Sequence, residues 1–322
     1  MKWVECIPNF SEGQNLSIIE KISQAIRAVP QVYLLNTDIG YDANRTVFTF
    51  VGDIRAVEEA AFRAVLTASQ LVNMQNHHGE HPRMGACDVC PFVPLGDTTM
   101  DEVIQMTYHL GKRLGEEGIP VYLYEKSARQ AERANLSFLR KGEYESLQDR
   151  LGQAKWKPDY GPTIFVPNFG IMALGARPFL IAYNVNLESK EVSIAKKIAR
   201  EIRASGGGLL PGVKAIGWWM EAYQCAQVST NITDIHQTDV KKVFDTVRSR
   251  AAQYQIEVKS SELIGMIPEE AILNVGKQIL GESLSDKHKY FKAAFQYLGL
   301  KKIGEDRILE RVMQKKIAET LP

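Results

Sequence analysis

Apolar residues along the first half of the chain switch between two periods. Leu16 to Val29 carries Ile18, Ile19, Ile22, Ala25 and Ile26 at helical spacing, which predicts an amphipathic helix. A short apolar run, Val4 to Pro8, precedes it. Val32 to Leu35 predicts a strand that ends in the polar turn Asp38-Ile39-Gly40-Tyr41-Asp42. Thr46 to Val51 reads TVFTFV; β-branched and aromatic residues of this kind suit a pleated, half-buried surface. Val57 to Leu71 returns to the helical period, and Val89 to Leu95 to the strand pattern. A helix over Met100 to Glu116 and a strand over Val121 to Tyr124 extend the series.

The second half repeats the order. Leu180 to Leu187 predicts a strand, and Val192 to Ala204 a helix. Lys214 to Met220 and Ala226 to Thr230 predict two successive strands, Val240 to Tyr254 a helix, and Ile256 to Ile264 a last strand. The pattern is an α+β chain with two ferredoxin-like βαββαβ subdomains in tandem. A turn-rich linker is expected over Leu151 to Pro162. Helices are expected from Pro268 onward, as a C-terminal tail. The expected domains are residues 1–177 and 178–322.

Composition narrows the function classes. The chain has 322 residues, 45% hydrophobic and 24% charged, with net charge +1. These are the proportions of an ordinary folded protein of about two domains. The balanced charge gives no global attraction to nucleic acid or an anionic membrane. Lys287 to Lys302 interleaves lysines with aromatics, which fits a capping helix better than a nucleic-acid surface. No stretch approaches a membrane helix, and Glu5, Pro8 and Asn9 interrupt any secretory h-region. With four scattered cysteines, a cytoplasmic protein with reduced thiols is expected. No phosphate loop, dinucleotide fingerprint or nucleophile elbow occurs, so no nucleotide cofactor is expected.

The densest chemistry lies in Asn76-His77-His78-Gly79-Glu80-His81-Pro82-Arg83-Met84-Gly85, between a predicted helix and strand. Loops on a rigid scaffold are favoured sites of function. Histidine suits proton transfer near neutral pH, and Pro82 holds His81 extended. One reading is His81 as a general base. A metal site from His77, His78, His81 and Glu80 is the other, but glycine and proline break the helix that would align its ligands, so no metal is expected. Cys87-Asp88-Val89-Cys90 has no second cysteine pair, which points to buried strand cysteines. Asp38 can orient His81 as a carboxylate partner, and Arg45 is a guanidinium suited to a carboxylate. Both also suit an ordinary turn.

Seven collinear runs then carry a resemblance. They are VECIPNFSEG, NRTVFTFVG, GEHPRMGACDVCPFVP, VYLYEKSA, GPTIFVPNFG, GARPFLIAYNVNL and AQVSTNITD, from Val4 to Asp234. Together the chain resembles the glutamate formimidoyltransferases and the formimidoyltransferase domain of formimidoyltransferase-cyclodeaminase. The resemblance implies two ferredoxin-like subdomains, a homodimer, and transfer of a formimidoyl group from N-formimidoyl-L-glutamate to tetrahydrofolate in histidine degradation. Tetrahydrofolate is thus a co-substrate. It implies that His81, in EHPRMG, is the catalytic histidine. It also implies that Gly161, Pro162, Thr163, Ile164, Phe165, Val166, Pro167, Asn168, Phe169 and Gly170 form the folate-contacting segment. Charge alone suggests Arg45 and Arg83 as anchors for substrate carboxylates. The chain stops about 50 residues after the matched region, so no cyclodeaminase domain is expected. Ile171, Met172 and Leu174 are bulkier than the family's usual residues, and Glu125 replaces a more usual glycine. Rival expectations are formyl transfer between glutamate and 5-formyltetrahydrofolate, folate binding without turnover, and an RNA-recognition module, for which TVFTFV has aromatics but the K/R-G-F/Y-G/A start is missing.

Overall fold

A computed structural model describes residues 2–300 and 303–319. The chain divides into one unit that ends at Arg177 and a second that begins at Pro178.

The first unit opens with β1 (Lys2–Cys6) and β2 (Asn9–Phe10), separated at Ile7 and Pro8. Proline has no N–H for a ladder, which suits it to such a break. The helix α1 (Leu16–Arg27) starts where the Asn15 side chain accepts from the Ser17 and Ile18 amides. A hairpin of β3 (Val32–Gly40) and β4 (Arg45–Gly52) leads to α2 (Ile54–Leu71). Then come β5 (Cys87–Gly96) and α3 (Met100–Glu116), the latter entered through a Thr99/Glu102 capping box. The strand β6 (Val121–Leu123), the short helices α4 (Leu136–Leu139) and α5 (Leu147–Leu151), and β7 (Met172–Ala176) complete the unit.

In the sheet, β3 lies beside β4, β4 beside the β1/β2 strand, and that strand beside β5, all antiparallel. Beyond β5, β7 and then β6 run parallel. Phe48 and Phe50 point one way from β4 and bury against Ile22 and Ile26 of α1 and Val57 and Ala61 of α2. Such side chains each contribute about 1.5–3 kcal/mol on burial.

The second unit contains β8 (Ile181–Leu187), α6 (Val192–Ile202), β9 (Val213–Met220), β10 (Cys225–Ile232), α7 (Val240–Gln253) and β11 (Val258–Ile264). Its antiparallel strand order is β11-β8-β10-β9. Alternation is plain on β8, where Ile181, Tyr183, Val185 and Leu187 enter the core and Asn184 and Asn186 take the other face. The helices α8 (Glu269–Leu280), α9 (Lys287–Tyr297) and α10 (Leu309–Ala318) follow. Phe291 and Phe295 of α9 are buried in the core, so its aromatics pack the fold. Lys301 and Lys302 of that sequence stretch lie outside the described residues.

The mixed α+β architecture in tandem units agrees with the sequence. Three local expectations do not. Asp38 is in a strand, not a turn, because pairing continues from Val32 down to Gly40 opposite Arg45. The strand β7 was not expected, since MALGA is short and without alternation. Leu151 to Pro162 is not a linker between units. The Asp159 amide donates to the Val121 carbonyl at 2.8 Å, and Val121 donates back to Tyr160 at 2.9 Å, so this stretch edges the first sheet.

Candidate active site

His81 lies in the loop between α2 and β5, and the β3–β4 turn braces that loop. Asn44, at φ 44°, donates from its side chain to the His78 carbonyl at 2.8 Å, and its own carbonyl meets His77 Nε2 at 2.8 Å. The Glu80 amide donates to the Asp42 carbonyl. A Cβ on Gly79 would lie 2.4 Å from the Ala43 carbonyl oxygen, so only glycine permits this approach.

The two histidines have different tasks. His77 donates from Nε2 to a carbonyl and accepts at Nδ1 from Arg83 Nε at 3.3 Å. Both bonds require the neutral ring, and burial, with Arg83 nearby, lowers its pKa. His81 Nδ1 lies 2.8 Å from the Pro82 carbonyl, so Nδ1 is assigned the proton and the lone pair is on Nε2. Desolvation is the largest influence on His81 although its ring keeps partial exposure; the Arg45 and Arg140 guanidinium groups add to it. Together they outweigh Asp88 and the Pro82 carbonyl and hold the imidazolium pKa well below the usual histidine value. The result is a neutral imidazole, whose unprotonated nitrogen is a base.

A β-bulge builds the charge cluster behind it. On the ladder between β2 and β5, Asn9 faces Val89 and Phe10 faces Cys87, which makes Asp88 the extra residue. Bulges re-aim side chains in this way. Asp88 Oδ1 accepts the Met84 amide at 2.9 Å, and Oδ2 accepts Arg45 Nη2 at 2.8 Å and Arg140 Nη2 as well. Burial opposes ionisation of Asp88, but Arg140 and Arg45 outweigh it and hold its carboxyl far below the ordinary range. Arg45 is further fixed by Nε donating to Asn9 Oδ1 at 3.0 Å.

Segment 140–146 ties this loop to residues 161–170. The Tyr144 amide donates to the Arg83 carbonyl, and the Tyr144 hydroxyl to the Pro167 carbonyl at 2.6 Å. The Tyr144 and Phe165 rings lie 5.4 Å apart. The Met74 amide donates to the Asn168 carbonyl and the Ala86 amide to the Phe169 carbonyl. Gly170 has φ +77°, and a Cβ there would sit 2.1 Å from the Met84 carbonyl oxygen. Within the segment Phe169 is buried, Phe165 half-buried, and Ile164 72% exposed.

The structure therefore brings His81 and Arg45 together and sets the 161–170 segment beside their loop. Asp38 shares the sheet face of Arg45, two residues along the β3–β4 ladder, and accepts from Asn36 at 2.7 Å. Asp88 is one carboxylate that acts on His81. Arg83 is saturated by its own chain: its guanidinium reaches Glu143, Glu145 and both the ring and carbonyl of His77. Asp88 had one sequence signal, a lone charge within an apolar strand run. Arg140 had none. Burial raises the pKa of the Cys6, Cys87 and Cys90 thiols and keeps them neutral, with Cys6 and Cys90 sulfurs 3.6 Å apart. Among the described residues no cluster of three or more His, Cys, Asp or Glu is arranged to hold a metal, and no helix is long and apolar enough to cross a membrane.

Two α+β units, the first with a histidine of lowered pKa near a buried Arg45–Asp88–Arg140 cluster, define the architecture. Comparison with known proteins gives the kind. Residues 3–177 match the N-terminal subdomain of the formiminotransferase domain, and residues 182–318 match the formiminotransferase domain. Glutamate formimidoyltransferase of Streptococcus pyogenes serotype M1 is 44% identical, over 89% of this chain and 96% of its own. The protein of that name from Thermoplasma acidophilum is 41% identical over 98% of each chain. Formimidoyltransferase-cyclodeaminase of Sus scrofa is 43% identical over 99% of this chain, which spans 60% of that relative. The chain belongs to the formiminotransferase family.

Proposed function

We propose that this chain transfers the formimidoyl group of N-formimidoyl-L-glutamate to tetrahydrofolate, giving L-glutamate and 5-formimidoyltetrahydrofolate. The observation that carries the reading is His81, held as a neutral imidazole beside the Arg45–Asp88–Arg140 cluster. Full-length matches to relatives named glutamate formimidoyltransferase support it.

In the proposed reaction N5 of tetrahydrofolate attacks the formimidoyl carbon and forms a C–N bond. The C=N pair moves onto nitrogen, and a tetrahedral intermediate results. His81 Nε2 takes the proton from N5. Collapse breaks the bond between that carbon and the glutamate nitrogen, and the protonated His81 returns its proton to the departing amine. Acid–base help of this kind contributes about 10²–10⁴-fold, and holding two substrates together contributes much of the rest. Asp38 keeps the role of a carboxylate that orients His81, and Asp88 fixes the Met84 end of the His81 loop. The Gly161–Gly170 segment takes the pterin, with Phe165 and Tyr144 as an aromatic wall. A cytoplasmic homodimer is part of the same reading.

The test is a transfer assay with purified protein and tetrahydrofolate, run with N-formimidoyl-L-glutamate and, separately, with N-formyl-L-glutamate. Acid treatment converts the 5-formimidoyl product to the absorbing methenyl form. Product from the formimidoyl donor supports the reading; product from the formyl donor alone replaces it with formyl transfer.

A further inference from the structure

Two arginines converge on a single carboxylate. Asp88 carries one negative charge against the Arg45 and Arg140 guanidinium groups, so the cluster has one surplus positive charge. The donors are not used up either. Among the described residues the Arg140 side chain makes one hydrogen bond, to Asp88, and its Nε is buried without an acceptor. Arg45 is only 6% exposed and uses Nε and Nη2, and Nη1 has no acceptor among the described residues. A surplus cation with spare N–H groups on largely buried arginines is suited to receive an anion. The contrast with Arg83 is direct, since Glu143 and Glu145 already neutralise it.

We propose that Arg45 and Arg140 form a carboxylate-binding fork beside His81 that takes the α-carboxylate of the amino-acid substrate, with Arg140 as its specificity-determining member. This rests on the transfer reading above. In such a substrate the α-carboxylate sits one carbon from the nitrogen that bears the transferred group. An anchor next to His81 therefore holds that nitrogen where the imidazole delivers its proton. The fork also compensates the substrate: its carboxylate fills the place of the missing counter-charge. Removing Arg140 leaves the Arg45–Asp88 pair neutral and intact, so the surplus charge is lost while the cluster keeps its core.

The experiment is titration calorimetry of wild type, Arg140→Met and Arg140→Lys with three probes: L-glutamate, its α-amide isoglutamine, and its γ-amide glutamine. Wild type is expected to bind L-glutamate and glutamine more tightly than isoglutamine. Arg140→Met is expected to weaken L-glutamate and glutamine by roughly 10–100-fold. Isoglutamine should bind wild type and Arg140→Met alike, and Arg140→Lys should recover part of the loss. In turnover, the donor KM rises in Arg140→Met more than kcat falls. Glutamate affinity unchanged in Arg140→Met overturns the proposal. So does an equal loss for glutamate and isoglutamine, which marks a merely structural role, or a loss for isoglutamine and not glutamine, which moves the fork to the γ-carboxylate. Wild type that does not favour glutamate over isoglutamine overturns it as well. Circular dichroism and a urea midpoint for each variant separate binding loss from unfolding. If wild type shows these binding differences but transfers nothing to tetrahydrofolate, the reaction reading fails and the fork stands. Turnover with an unaltered Arg140→Met fails the fork alone.

Discussion

Arg45 Nη2 donates to Asp88 Oδ2 at 2.8 Å, with the carboxylate wholly closed to solvent and the guanidinium nearly so. Buried pairs of this kind are not in themselves strongly stabilising, but taking away one partner strands the other. Asp88→Asn leaves Arg45 and Arg140 facing each other with no counter-charge. The expected loss is about 3–5 kcal/mol, read as a lower urea midpoint with unchanged slope.

Acid stability follows from the same carboxylate. Its folded pKa is depressed, so its contribution is complete above the unfolded carboxylate pKa, about pH 4, and is lost as pH falls from there toward the folded value. Wild type is expected to lose stability below about pH 4 more steeply than Asp88→Asn, which lacks the titrating group. Urea midpoints at pH 3, 4 and 5 check this, and parallel curves for the two proteins go against it.

In the proposed reaction His81 sets the acid side of activity. Burial and the two arginines keep it neutral where an ordinary histidine would hold a proton. The acid limb of kcat/KM therefore falls below about pH 6.5, the unperturbed value. A limb at or above that value contradicts the environment described for the ring.

Arg83 was expected to hold a substrate carboxylate, and the structure occupies it with Glu143, Glu145 and His77 instead. Arg83→Met should then cost about 1–3 kcal/mol of stability through lost charged hydrogen bonds. The donor KM measured below its unfolding temperature should stay near wild type. A large KM rise in a well-folded variant would restore the anchoring role.

Gly170→Ala tests the seam between the His81 loop and the 161–170 segment. Its φ of +77° and the Met84 carbonyl leave no room for a methyl group. About 1–3 kcal/mol of strain is expected, seen as a lower melting temperature together with weaker folate binding.

The α1 isoleucines show their period because a single face of that helix is buried. β4 and β8 are covered on both faces and were legible by other signals, β4 by its β-branched and aromatic residues and β8 by apolar residues alternating with Asn184 and Asn186. β7 was hidden because MALGA is buried throughout and has neither alternation nor a β-branched residue. His81 and Arg45 stood out as charged or titratable groups in turn-rich sequence. Asp88 was obscured because the bulge, not the strand pattern, decides where it points. Arg140 lies in the stretch between β6 and β7, where short helices and turns follow no apolar period. Its role arises only from a contact 52 residues away in the chain.

The most direct test of the account is the initial rate of 5-formimidoyltetrahydrofolate formation by wild type and His81→Ala, at saturating N-formimidoyl-L-glutamate and tetrahydrofolate. A drop of at least ~100-fold in a variant that unfolds at the wild-type urea midpoint is the predicted result. Equal rates would contradict His81 as the base, and no product from folded wild type would contradict the reaction itself.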